Sequence, residues 1–166
     1  KGSTGWYFCQ HLVQGDASST YDATLQQRLF RFESLTAGEA VQRDIKISLT
    51  DIKAPTGPYQ KYGTFSVVVR KMSDNDNKPV ILERWDQCDL NPASPNYLAK
   101  KIGDKYEEYD TTLLGNRTYG THPNRSLFVR VVMDGDVDAG VADAQLLPAG
   151  VFGPLTYRTV RVLGSS

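Results

Sequence analysis

The sequence has few of the residues from which many active sites are built. Its 166 residues include only two cysteines, Cys9 and Cys88, and two histidines, His11 and His122. Two thiols far apart in the chain do not make a disulfide framework, and free thiols are usual in a reducing compartment. A structural zinc site needs about four ligands. Only Cys9 and His11 are neighbours, and they lie in an apolar run, so we interpret them as core residues.

An excess of charge of either sign is also absent. Lysine plus arginine and aspartate plus glutamate each number 19, so the net charge is zero, and the two signs are interspersed. Nucleic-acid binders usually carry a clustered basic surface, so this balance disfavours a nucleic-acid partner. No apolar run approaches the length of a membrane span, and no signal-peptide pattern opens the chain. We therefore expect neither nucleic acid nor a membrane among the partners.

What the sequence does contain is a series of strand patterns. Apolar residues make up 40% and charged residues 23%, which is typical of a globular domain. In residues 28–33, Phe30 and Phe32 alternate with Arg31 and Glu33, the two-residue period of a half-buried strand. Similar patterns predict strands at 43–49, 64–71, 80–86 and 126–133, with weaker candidates at 105–109 and 157–163. Residues 5–13 are consistent with a short buried strand or a helix turn. The polar run 73–78 predicts a hairpin turn, and 134–150 predicts a long loop.

One segment predicts a helix. Ser94 has the side chain of a good N-cap, and Pro95 would stand at the first helical position, where its missing N–H costs nothing. Apolar positions then recur at helical spacing, and Gly103 can adopt the left-handed conformation that ends a helix. We predict a short central helix at about 94–102. The fold class is then α+β, mainly antiparallel sheet with long loops, in a single domain spanning residues 1–166.

The candidate hydrolytic sites are weak. His122 lies near Ser126, but no G-x-S-x-G turn is present to expose a nucleophile. The carboxylate pairs Glu107–Glu108 and Glu83–Asp86 are close in sequence, which does not define the separation across a cleft that glycosidases require. No phosphate-binding glycine motif occurs. We interpret these residues as a solvated loop and a charged sheet face.

Two acidic runs resemble calcium loops without completing them. Asp134, Asp136 and Asp138 stand at alternate positions, but Ala139 and Gln145 occupy the places where an EF-hand loop needs glycine and glutamate. The run 74–77 has a lysine where a third ligand belongs. Asn116 and Asn124 begin glycosylation sequons, which matter only in a secretory pathway. We interpret the acidic runs as solvated turns.

The segment QCDLNPASPNYLAKKIGDKY, residues 87–106, resembles the signature of contractile tail sheath proteins of bacteriophages. In that family a V-x-E-x-F/W strand precedes D-L-[D/N]-P-x-S-P-x-Y, a short helix and a glycine. Asn91 stands where aspartate is common. The flanking segments DIKISLTDIKAP, YGTFSVVVRKMSD, YGTHPNRSLFVRVVM and LLPAGVFGP occur in the family's order, so the likeness covers about residues 28–155. The matching residues are Val80, Leu82, Glu83, Trp85, Asp89, Leu90, Asn91, Pro92, Ser94, Pro95, Asn96, Tyr97, Ile102 and Gly103.

The resemblance implies a structural role in the virion. Sheath subunits form stacked hexameric rings around the tail tube and contract to drive the tube into the host. The energy is stored in subunit packing, so neither an active site nor a cofactor is expected. The partners would be neighbouring sheath subunits and, in the full-length protein, the tail tube. The family's arm-bearing polymerising core is not recognisable here. We therefore expect a middle or outer domain of a longer subunit, made in the bacterial cytoplasm and monomeric in isolation.

An alternative is a virion surface module that recognises host carbohydrate or a receptor. Nine tyrosines and two tryptophans could supply stacking surfaces for such ligands. However, Trp6 and Trp85 lie in strand-like contexts, where core packing is the simpler interpretation. Binding of sugars at an aromatic cluster would favour this alternative over the sheath role, and an enzyme ranks below both.

Overall fold

Antiparallel β-sheet is the main secondary structure of the described residues. The computed structural model describes residues 2–9, 27–36, 44–56, 62–140 and 147–151. Within these ranges the helices are short and none is long and apolar enough to cross a bilayer. The strands are β1 (Tyr7–Cys9), β2 (Arg28–Ser34), β3 (Ile45–Lys53), β4 (Thr64–Lys71), β5 (Ile81–Cys88), β6 (Tyr106–Asp110), β7 (Gly115–Tyr119), β8 (Val129–Met133) and β9 (Pro148–Val151). The helices are α1 (Leu98–Ile102) and α2 (Gly135–Asp138).

The first sheet has the order β8-β2-β1-β9, with every pair antiparallel. Its centre is the predicted strand β2, in which Phe30 and Phe32 are buried and Arg31 and Glu33 are half-buried, as their alternation indicates. Phe32 lies opposite Val131 of β8. Since side chains opposite each other on one face pack together, this pair places the core on the inner face of the sheet.

The second sheet has the order β3-β4-β5 and contains the predicted hairpin. Strand β4 matches the predicted range and is the most buried of the three, because it is paired on both edges. The turn between β4 and β5 is closed by the Asp74 side chain, which accepts hydrogen bonds from Arg70 at 2.8 Å and from the Val80 N–H at 2.8 Å. Lys46 of the neighbouring β3 lies 2.6 Å from the same carboxylate. Two cations, Arg70 of β4 and Lys46 of β3, thus hold the Asp74 carboxylate and fix the turn.

The two sheets share one hydrophobic core. Phe30 of the first sheet stacks on Phe65 of the second, with ring centroids 5.6 Å apart and planes inclined by 8°. Tyr7 also stacks on Phe30, with ring centroids 5.0 Å apart. Leu98 and Ile102 of α1 belong to the same core cluster. Because aromatic rings bury large areas, this stack contributes much of the stability of the fold.

A separate two-stranded sheet is formed by β6 and β7. Strand β6 was predicted, whereas β7 was not, because its sequence GNRTY has no apolar alternation. The hairpin is held by the stacked rings of Tyr106 and Tyr119, 5.1 Å apart. The guanidinium of Arg130 lies 4.2 Å from the Tyr106 ring centroid. An aromatic pair and a cation–π contact therefore stabilise a strand that its own composition does not favour.

Two sequence predictions need correction. The strand expected at 126–133 begins at Val129, and Leu127 is 81% exposed rather than on the inner face. The Ser126 hydroxyl accepts hydrogen bonds from the N–H groups of Phe128 and Val129, which turns the chain before the strand starts. The region expected to be a long loop, 134–150, contains α2 and most of β9. The predicted strand at 157–163 and residues 10–13 lie outside the described residues.

Candidate functional site

The signature segment forms a tightly hydrogen-bonded connector, residues 89–97, between β5 and α1. Asp89, its first residue, makes most of the bonds. One carboxylate oxygen accepts from the Asn91 N–H at 3.1 Å, and the other accepts from the Ser94 hydroxyl at 2.7 Å. The backbone of Asp89 also bonds to Asn96 and Leu98, at 3.1 and 3.0 Å. The Asp89 carboxylate therefore fixes the turn inside the connector, and the Asp89 backbone joins its two ends.

The prediction that Ser94 and Pro95 start the helix is wrong. Helix α1 begins at Leu98, its N-cap residue is Tyr97, and no side chain caps it. The Ser94 hydroxyl instead donates to Asp89 and accepts from the Asn96 N–H at 3.1 Å. Ser and Asp side chains compete in this way with the helix for backbone N–H groups. Pro95 is exposed in the resulting turn.

The turn before Ser94 is built from the next two signature residues. The Asn91 side-chain oxygen accepts from the Ala93 N–H at 3.1 Å, an Asx turn that brings the chain around Pro92. The Ser94 N–H then donates to the Asn91 carbonyl at 3.0 Å. Either aspartate or asparagine supplies the side-chain oxygen that this turn requires. Asn91 therefore keeps the geometry of the turn, although aspartate is the commoner residue at this position of the signature.

Tyr97 anchors the connector in the core. The residue is 1% exposed, and its hydroxyl donates to Asp138 Oδ1 of α2 at 2.8 Å. Burial raises the pKa of the Tyr97 hydroxyl well above its ordinary value, and the hydrogen bond to the Asp138 carboxylate raises it further. The His122 ring lies nearly perpendicular to the Tyr97 ring, with centroids 6.4 Å apart. Tyr97 thus joins three segments that are distant in sequence.

Gly103 ends α1 with a positive φ, as expected, although not in the left-handed helical region. Its φ is 106° and its ψ is 152°, a combination that is essentially restricted to glycine. A Cβ atom there would lie 2.6 Å from the Pro123 carbonyl oxygen, so the chain has no room for a side chain. The Gly103 carbonyl accepts from the Val131 N–H at 2.8 Å, which joins the end of α1 to β8.

Glu83, which the sequence placed on a charged sheet face, makes hydrogen bonds to a distant segment. Its carboxylate accepts from the Ser126 hydroxyl at 2.6 Å and from the Leu127 N–H at 2.8 Å. These bonds join β5 of the second sheet to the residues that lead into β8 of the first sheet. The contact spans more than forty residues, and no local pattern in the sequence predicts it. It gives the glutamate of the signature a structural role.

The two tryptophans differ in environment. Trp85 is half-buried against the core, and its Nε1 is enclosed with no hydrogen-bond partner among the described residues. Trp6 lies outside the core cluster and is flanked by Arg28 and Arg31, whose guanidinium carbons lie 5.9 and 5.5 Å from the ring. The prediction of a core position therefore fits Trp85 better than Trp6.

The other candidate residues serve mainly as structural partners. Asp134 caps α2 by accepting from the Asp136 N–H at 3.0 Å, and Asp138 binds Tyr97 as described. Within the described ranges no group of three or more His, Cys, Asp or Glu side chains could hold a metal ion. Cys88 is buried, which raises the pKa of its thiol to about 11. His11 lies outside the described residues, and both sequon asparagines, Asn116 and Asn124, are exposed.

A wide polar groove lies beside the connector. Its volume is about 870 Å³, and it is bounded by the ends of β3, β4 and β5 and by the connector itself. Arg84 bridges two carboxylates in its wall, with Nη2 at 3.1 Å from Asp51 and Nε at 2.8 Å from Asp86. Hydrogen bonds from Arg84 and Ser66 keep the pKa of the Asp86 carboxyl below its ordinary value. The groove therefore holds fixed charges of both signs.

Comparisons with known proteins identify no relative of this chain. No protein-family model, no curated protein and no solved structure matches it. The likeness to tail sheath proteins rests on the residues of the sequence.

Proposed function

We propose that this chain is a domain of a bacteriophage contractile tail sheath protein. The observation that carries the proposal is the signature segment, with the flanking segments in the family's order over residues 28–155. In this role the full-length subunit forms stacked hexameric rings around the tail tube. Contraction of the rings then drives the tube into the host.

The geometry of the signature residues supports a mechanical role. Asp89 and Ser94 lock the connector, Tyr97 joins it to α2, and Glu83 joins the two sheets. A domain that is carried through a large rearrangement must keep its own shape while its contacts with neighbours change. Long-range hydrogen bonds between elements that are distant in sequence provide such rigidity, because they resist relative motion of the elements.

The proposal includes the setting in which the domain works. It lies toward the outside of the sheath in the virion, after synthesis in the bacterial cytoplasm. Its partners are neighbouring sheath subunits, and the tail tube meets the polymerising core of the same subunit. No catalysis or cofactor is required, because the energy of contraction is stored in subunit packing. We also propose α+β as the class of the whole domain, with α1 as the central helix packed between β5 and β8.

Electron microscopy of the longer polypeptide tests the proposal. The chain is expressed with its native flanking segments, and the product is expected to assemble into hollow cylinders of stacked six-fold rings. The 166-residue chain alone is the matched control, and light scattering is expected to show a monomer. A longer polypeptide that stays monomeric or forms trimeric spikes, under conditions where the chain is folded, contradicts the sheath role.

A further inference from the structure

The groove beside the connector has the composition of a binding surface. Several of its polar groups make no hydrogen bond to another described residue, whereas the Asp89 carboxylate and the Ser94 hydroxyl in the same wall are paired. The unpaired groups include the side-chain amides of Gln87 and Asn96, the Nδ2 of Asn91, and one carboxylate oxygen each of Asp51 and Asp86. Amide donors and carboxylate acceptors therefore both face the same open space.

The backbone of the groove wall is strained at two positions. Asp51 has a φ of 52° and Gln87 a φ of 53°, and neither is glycine. A side chain in this region costs on the order of 1–2 kcal/mol relative to a right-handed conformation. Each position also coincides with a register shift, between Thr50 and Lys53 in the β3–β4 pair and between Phe65 and Val67 in the β4–β5 pair. Such bulges redirect side chains, and strain of this kind concentrates at functional sites.

The chemistry of the groove fits a neutral polyhydroxylated ligand. Each hydroxyl of a sugar both donates and accepts, so it is satisfied by an amide donor beside a carboxylate acceptor. Tyr62 contributes an aromatic ring to the same wall, on which the apolar face of a sugar ring can stack. The walls carry three carboxylates and two cations, Lys53 and Arg84. This slight negative balance disfavours phosphate or sulfate, and the polar lining disfavours an apolar ligand.

We propose that the groove is a binding site for neutral oligosaccharide. Asn96 and Gln87 donate to sugar hydroxyls, the free oxygens of Asp51 and Asp86 accept from them, and Arg84 holds both carboxylates in position. This function goes beyond the sheath role and does not depend on it. A domain on the outer surface of a tail would be well placed to contact cell-surface glycan. The binding site itself is inferred only from the residues that line the groove.

Glycan binding by the purified chain is the first experiment. An array of neutral hexose, N-acetylhexosamine and deoxyhexose oligosaccharides, with sulfated and sialylated oligosaccharides beside them, is probed with the labelled protein. The best ligand is then titrated by saturation-transfer NMR. We expect saturable binding to neutral members. Binding restricted to the charged members, or no binding at all, overturns the proposal.

Two groove variants and one control locate the site. Asn96→Ala removes an unpaired amide, and Gln87→Gly removes another while relieving the positive φ, so both are expected to remain folded. Each should weaken binding about fivefold or more, the effect of losing one hydrogen bond. Asn116→Ala, an exposed amide on β7, should leave affinity within about twofold. Equal affinity in all four proteins contradicts the assignment.

A second copy of the chain is the competing occupant of the groove. Sedimentation velocity of the parent and of Asn96→Ala, with and without the oligosaccharide, separates the two ideas. We expect both proteins to remain monomeric at every concentration. Self-association that Asn96→Ala abolishes and that the oligosaccharide does not affect would assign the groove to subunit contact and overturn the glycan proposal.

Discussion

Replacement of Tyr97 by alanine tests how strongly the connector depends on a single buried side chain. The residue is 1% exposed and lies against α1, α2 and His122. Burial of a tyrosine removes about 200 Å² from water, which is worth about 5 kcal/mol at about 25 cal/mol per Å². Large-to-small substitutions of aromatic core residues cost about 3–5 kcal/mol. We expect Tyr97→Ala to lower the free energy of unfolding by about 3–5 kcal/mol.

The hydrogen bond to Asp138 can be separated from the ring. Tyr97→Phe keeps the ring and removes only the hydroxyl, which lies 2.8 Å from Asp138 Oδ1. A hydrogen bond to a charged group is worth about 1.5–3 kcal/mol. Because Asp138 is exposed to solvent, we expect the lower end of that range, about 1.5 kcal/mol. Asp138→Ala should cost a similar amount, and the double variant should cost little more than either single variant.

Urea denaturation monitored by circular dichroism measures these differences. Pro95→Ala is the matched control, because Pro95 is exposed in the same connector and donates no hydrogen bond. We expect the control to change the free energy of unfolding by less than about 0.5 kcal/mol. A cost for Tyr97→Ala no greater than that of Pro95→Ala would refute the conclusion that Tyr97 anchors the connector.

Three further predictions concern other contacts. Gly103→Ala should destabilise by more than about 3 kcal/mol, because its φ and ψ are essentially restricted to glycine and Pro123 occupies the space; a melting temperature equal to the parent's would contradict this. Burial alone would raise the pKa of Asp74, but hydrogen bonds from Arg70, Lys46 and the Val80 N–H hold it far below its ordinary value of 3.8. The stabilisation of the folded state by the ionised Asp74 carboxylate is therefore present above about pH 4 and is lost on acidification. Asp74→Asn should flatten the fall in the free energy of unfolding below pH 4, and an unchanged slope would refute that. Glu83→Ala should cost about 1–2 kcal/mol by removing the bonds to Ser126 and Leu127, whereas Glu107→Ala on the exposed strand β6 should cost less than about 0.5 kcal/mol.

Strands with clear alternation were predictable from the sequence. Strand β4 has the predicted bounds, and β2 contains the predicted range with Phe30 and Phe32 in the core. Local periodicity suffices there because one side of each strand faces the core and the pattern records that burial. The polar run 73–78 likewise identified the hairpin turn, although the ion pairs of Asp74 within it depend on Lys46 of another strand.

Positions where side chains compete for backbone groups were less predictable. Ser94 and Pro95 have the residue types of a helix start, but Asp89 binds the Ser94 hydroxyl and the helix begins four residues later. Leu127 continues an apolar alternation, but Ser126 turns the chain before it. Asp134 does cap a helix, and the carboxylates that follow it are usual in a first helical turn, so α2 carried a signal that a loop interpretation missed.

The long-range contacts of the candidate sites could not be predicted from local sequence patterns. The order of the signature residues can be read from the sequence, but their long-range partners cannot. The bond between Glu83 and Ser126 and the bond between Tyr97 and Asp138 each join segments about forty residues apart. The groove depends on the ends of three strands and on the connector. Its strained positions, Asp51 and Gln87, are ordinary polar residues in strand-like surroundings and give no local signal.

We propose that this domain is part of a contractile tail sheath. Immunogold electron microscopy tests it most directly, using antibody raised against the purified 166-residue chain and virions purified from the source that encodes it. We predict gold along the whole length of the tail, on its outer surface, in both extended and contracted particles. Gold confined to the capsid, the tail tip or the fibres, with the tail shaft unlabelled, would contradict the claim.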